Sequence, residues 1–107
     1  MRPIAQFDVH KNASKKTSAD FPYLLEIQSD LFEDSSRIVV IPLVHASACS
    51  EKDSTLNPEF DINALSVLLF PLDISSMDRS LLGDKITSLR MEGDRIIAAL
   101  DLLFARF

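Results

Sequence analysis

The chain predicts an α+β fold, mainly antiparallel β, closed by one C-terminal helix. Three observations predict it. Short apolar segments alternate with polar turns through most of the sequence, Ile38-Val-Val-Ile41 is an unbroken β-branched run, and the helical period appears only at the end. The 107 residues are read as a single domain over 1–107, large enough to bury a core without disulfide or metal.

In chain order, Ala5–His10 alternates, with Phe7 and Val9 on one face and Gln6, Asp8 and His10 on the other, which reads as a half-buried strand. Lys11–Asp20 is a polar connector. Tyr23–Gln28 alternates again, placing Tyr23, Leu25 and Ile27 together. The turn that follows is rich in Asp and Ser, whose side chains bond the local backbone, yet it holds the large apolar pair Leu31-Phe32. The run Ile38–Ile41 predicts burial on both faces, and Pro42 predicts that the strand ends at an edge or a bend, since proline removes a ladder donor. His45–Pro58 is irregular and polar, a surface excursion. Phe60–Ile62 and Ser66–Phe70 flank Asn63-Ala64 as a hairpin; Leu72–Ile74 and Met77–Leu82 are read as two further short strands, with Ser75-Ser76 between them and a turn at Gly83-Asp84. From Leu89 to Phe107, a step of about 100° per residue gathers Leu89, Gly93, Ile96, Ile97, Leu100, Leu103, Phe104 and Phe107 into one arc, with Met91 and Leu102 as apolar exceptions on the far side. Ser88 is the expected N-cap.

Composition narrows the function. The formal net charge is −5, and only Lys15-Lys16 clusters basic residues, so a direct nucleic-acid surface is not expected. No apolar run approaches the ~18 residues of a membrane span, and the first residues lack a signal-peptide apolar region, so no membrane association is expected. Cys49 is alone, and cytoplasmic residence is the expectation. His10 and His45 lie on different segments without Cys, Asp or Glu at metal spacing, so no metal and no cofactor is expected. With Gly83 and Gly93 as the only glycines, there is no phosphate-cradling loop. The acidic set Glu26, Asp30, Glu33 and Asp34 reads as solvated or capping charge. Nothing assembles a nucleophile, a base and an oxyanion donor, and the chain is not expected to be an enzyme.

The ordered combination of Gln6-Phe7-x-Val9, Leu25-Glu-Ile-Gln-Ser-Asp-Leu-Phe32, Arg37-Ile-Val-Val-Ile-Pro-Leu43, Leu56-Asn-Pro58, Ile62, Asp73, Gly83, Leu89 and the Ile96–Phe104 helix resembles the CcdB toxin family. The resemblance implies an SH3-like, barrel-like antiparallel sheet with a small extra sheet and a C-terminal helix, assembled as a homodimer. It implies the toxin half of a plasmid or chromosomal toxin–antitoxin module: not an enzyme, but a protein that binds the A subunit of DNA gyrase and traps the gyrase–DNA cleavage complex until a CcdA-like antitoxin removes it. Carried over position by position, the gyrase contacts are Leu31, Phe32, Asp101, Phe104, Ala105, Arg106 and Phe107, and the antitoxin face includes Gln6, Phe7 and His10. The best-known members have Asn at the position of Asp101 and end in Trp-Gly-Ile where this chain has Ala105-Arg106-Phe107. Two other readings remain: an endoribonuclease toxin on the related MazF-like fold, using Arg37, Arg79 and His45, or a CcdB-like protein that keeps antitoxin binding with a lost or changed target.

Overall fold

A computed structural model describes residues 5–29, 32, 34–50 and 52–105. Its strands are β1 (Asp8–Lys11), β2 (Tyr23–Glu26), β3 (Arg37–His45), β4 (Glu59–Ile62), β5 (Leu65–Leu69), β6 (Ser75–Asp78) and β7 (Lys85–Ser88), followed by the helix α1 (Gly93–Phe104). All pairings are antiparallel, in the order β4-β5-β3-β2-β1-β7, with β6 also paired to β3. The result is a strongly curled sheet with one C-terminal helix, the expected α+β class.

β3 organises the sheet. Along one edge it pairs with β2, from Val40 to Leu43; along the other, Arg37–Val40 pair with β6 and Leu43–His45 pair with β5. Pro42 therefore does not end the strand, as its missing donor suggested. It sits inside β3, near the point where that edge changes partner. The Pro42 carbonyl accepts from Phe70 N at 3.1 Å, so its nitrogen, which points to the same side, faces the junction rather than a continuous ladder.

The β-branched run is buried on both faces, as its composition predicts. Ile38 and Val40 join Leu24 in a small cluster with Phe21, Met77 and Leu82, whereas Ile41 and Leu43 point into the main core. That core lies under α1: Phe7, Val9, Leu25, Ile41, Leu43, Phe60, Ile62, Val67 and Leu69 from the sheet meet Leu89, Ile96 and Ala99. Tyr23 and Ile27 pack beside Leu25 on the same side, the shared face that alternation gives.

The hairpin at Asn63-Ala64 forms as expected, with Ile62 opposite Leu65. Both turn residues have positive φ, 51° and 65°, which the two-residue turn requires for its twist to match that of the strands. Asn tolerates this region well and Ala does not, so the turn is held by the strands it joins.

The segment before α1 departs from the expected pattern. Pro71–Asp73 and Arg79–Leu81 are single 3₁₀ turns, not strands, and Ser75-Ser76, expected between strands, lies within β6. β7 was not apparent at all, because four residues, mostly exposed, carry little period of their own and become a strand only by pairing with β1. The Ser88 hydroxyl accepts from Arg90 N at 3.2 Å, so it caps the 3₁₀ turn Arg90–Glu92; α1 itself starts at Gly93. A 3₁₀ turn advances about 120° per residue instead of 100°. Leu89 therefore lies off the α1 count, and the buried stripe of α1 itself is Gly93, Ile96 and Ala99, with Leu100 and Leu103 half-buried. Ile97 and Phe104, expected in the core arc, are exposed.

Candidate interaction surface

The main core docks the start of α1 firmly. An added Cβ on Gly93 would stand 3.0 Å from Cε2 of Phe7, so the helix approaches the ring as closely as glycine permits. Phe7 has φ 72°, costly for a large side chain, and its backbone is held at both ends: its N–H donates to Glu26 O (2.7 Å), and its carbonyl accepts from Leu89 N (2.8 Å). Arg95 reaches back from the helix to β4. Its Nη2 donates to Glu59 O (2.8 Å), its Nη1 to Glu92 Oε1 (2.8 Å), and the guanidinium lies 4.5 Å from the centre of the Phe60 ring.

On its other side α1 presents apolar surface to solvent. Ile97, Asp101 and Phe104 share a face at i, i+4 and i+7. Ile97 is 49% exposed and Phe104 69%, with Leu102 at 42% and Met91, on the entry turn, at 95%. Beside this face a groove of about 480 Å³ opens between the first strand's approach and the helix, lined by Gln6, Phe7, Met91, Asp94 and Ile97 among others.

The sequence-derived candidates distribute as follows. Asp101, Phe104 and Ala105 lie together and exposed on the last turn of α1 and its C-cap, where Ala105 N donates to Asp101 O at 2.7 Å. Phe32 is 61% exposed in the β2–β3 connection. Leu31, Arg106 and Phe107 lie outside the described residues. Gln6 donates to Ile27 O at 3.2 Å and borders the groove; Phe7 is a core residue whose ring also lines the groove; His10 is half-buried in β1. Met91 and Ile97 extend the surface. Met91 was visible as an apolar residue on the polar side, while Ile97 was hidden because the helical count placed it inside.

One polar cluster corrects the expectations outright. Asp8 and His10 alternate with the core residue Val9 and meet Glu26 of β2, which is buried and not solvated. His10 Nε2 is 3.2 Å from Glu26 Oε1, and Nδ1 is 3.3 Å from the Gly83 carbonyl. Lys85 Nζ stands 3.4 Å from Asp8 Oδ1, and Arg79 Nη1 stands 3.9 Å from Glu26 Oε2. Burial pushes the Asp8 carboxyl above the usual range, partly opposed by Lys85. Folding thus brings Glu26 to Asp8 and His10, which alternation along the first strand already places on one face.

The family model for the CcdB protein matches residues 6–105, nearly the whole chain. The chain belongs to the CcdB family. Membership makes it a toxin of the toxin–antitoxin type, in a family whose proteins poison gyrase without catalysing a reaction and are countered by an antitoxin. No helix among the described residues is long and apolar enough to cross a membrane.

Proposed function

We propose that this CcdB-family chain acts as a homodimer on the A subunit of DNA gyrase, holding the gyrase–DNA cleavage complex, and is released by a cognate CcdA-like antitoxin. The observation that carries the reading is the last turn of α1. Phe104 stands exposed beside Asp101 and Ala105, and no core explains a phenylalanine there. Large aromatic side chains of this kind supply the hot spots of protein interfaces. Phe32 in the β2–β3 connection, with Leu31, and Arg106-Phe107 at the chain end complete the proposed gyrase surface. Gln6, Phe7 and His10, along the first strand, form the proposed antitoxin face, and the chain's net charge of −5 would speed encounter with a basic segment.

A ribonuclease role draws no support from the arginines it would use. Arg37 donates to Ser76 O (3.0 Å) and Ser76 Oγ (2.9 Å), and Arg79 donates to Ser35 O (3.0 Å) while facing Glu26. Both are engaged in tying loops to the sheet.

The decisive experiment adds purified protein to gyrase, supercoiled DNA and a quinolone-free buffer and measures cleaved DNA after protein denaturation. The expected result is accumulation of linear DNA, lost on deletion of residues 105–107 or in Phe104→Ala. Cleavage of RNA by the same preparation, with gyrase untouched, would overturn the reading. Inert behaviour towards gyrase combined with tight antitoxin binding would instead identify a changed target.

A further inference from the structure

We propose that Asp8, His10 and Glu26 form a binding site for one divalent transition-metal ion of zinc-like preference. One ligand atom from each of the three lies within 4.8 Å of the others. Around a tetrahedral Zn²⁺ at ~2.0–2.2 Å, oxygen and nitrogen donors stand roughly 3.3–3.6 Å apart, so modest side-chain adjustment closes the set, leaving the fourth position for water.

The hydrogen bonding around His10 points the same way. A backbone carbonyl only accepts, so the contact with Gly83 O assigns a proton to Nδ1. In the neutral ring the Nε2 lone pair then faces Glu26 Oε1, itself an acceptor, at 3.2 Å. A cation between them turns that opposition into two coordinate bonds. A histidine whose second nitrogen donates to a main-chain carbonyl is also the usual arrangement in metal sites, because the carbonyl fixes tautomer and ring orientation.

A second, independent observation comes from Asp8. Its Oδ1 is buried and makes no hydrogen bond among the described residues, its ion-pair partner being Lys85 Nζ at 3.4 Å. The side chain is 9% exposed. Two cations, Arg79 and Lys85, already face these carboxylates, and an ion has to share them or displace one. Arg79 approaches the other oxygen of Glu26, Oε2, leaving Oε1 to His10. Lys85 is the competing cation; its side chain is 55% exposed and can leave towards solvent when an ion enters. Coordination would fasten β1 to β2 and, through Gly83, to the turn leading into β7. The sequence hides this site because Glu26 lies 16 residues beyond His10 and reaches it only through the pairing of β2 with β1.

The test uses the full-length protein stripped with a chelator and titrated with ZnCl₂ by calorimetry, together with thermal unfolding and Co²⁺ absorption. Expected are uptake of one ion per chain, a raised Tm, and Co²⁺ bands of mixed nitrogen–oxygen ligation. His10→Gln and Glu26→Gln should lose binding, and Lys85→Gln, which removes the competing ammonium, should tighten it. No uptake at sub-millimolar Zn²⁺ would overturn the proposal. So would uptake indifferent to Lys85→Gln with no nitrogen ligand in the Co²⁺ spectrum. Nitrogen NMR showing both His10 ring nitrogens protonated at neutral pH, unchanged by Zn²⁺, would show that a proton resolves the His10–Glu26 contact instead. None of these readouts involves gyrase, so the site stands or falls separately from the proposed target.

Discussion

At the start of α1, Gly93 rests on the Phe7 ring, Ile96 and Ala99 have no exposed surface, and Arg95 bridges to β4. At its end, Leu102 and Phe104 stand in solvent and the chain leaves the helix at Ala105 in extended conformation. Both ends carry apolar residues. What differs is the presence of a sheet beneath. A twelve-residue helix is marginal in isolation, so its docked half must stabilise the whole element, and the undocked half is carried along as a rigid projection. A protein-binding tip benefits from that division, because its aromatic side chain is held in place without being consumed by the core.

The largest expected effect tests the docked half. Ile96→Ala removes a fully buried side chain at the centre of the main core and should lower the unfolding free energy by about 2–5 kcal/mol, read from urea denaturation. A loss within experimental error would mean that the helix is not held by its core stripe. Next in size is Arg95→Ala, which deletes the contacts to Glu59 O, Glu92 and the Phe60 ring. These contacts are half-exposed, and the expected loss is about 1 kcal/mol. Lysine at position 95 should recover only part of it, because a single ammonium cannot bond Glu59 O and cover Phe60 together. Full recovery would reduce the role of Arg95 to its charge.

How far the sequence disclosed this molecule follows from the range of the forces involved. The Asn63-Ala64 hairpin was legible because turn chemistry and flanking alternation are local, and the double-sided burial of Ile38–Ile41 was legible because a β-branched run has no polar face. β7 and the continuation of β3 through Pro42 were not, since both depend on which strand lies alongside. The burial of Glu26 escaped for the same reason: its partners, His10 and Arg79, come from distant segments. At the candidate surface, the helical period placed Phe104 in the core arc and the family resemblance placed it among the contact residues; its 69% exposure, with the buried stripe running through Ile96 and Ala99, separates the two roles.

The smallest stability effect is therefore the most informative. Phe104→Ala removes a side chain that is 69% exposed, and the substitution should change the unfolding free energy by no more than ~0.5 kcal/mol, in line with other surface positions. If the tip is a binding element, the same variant should abolish gyrase–DNA cleavage and growth inhibition while antitoxin binding through the first strand persists. A core residue would behave in the reverse manner, losing stability first and every partner with it. Ile96→Ala supplies that reverse pattern as an internal control, two helical turns away on the buried stripe. The pair of variants thus distinguishes an anchor from a probe on one helix. Equal stability losses at the two positions would show that Phe104 packs against something in the assembled protein, and would move the proposed contact away from the last turn of α1.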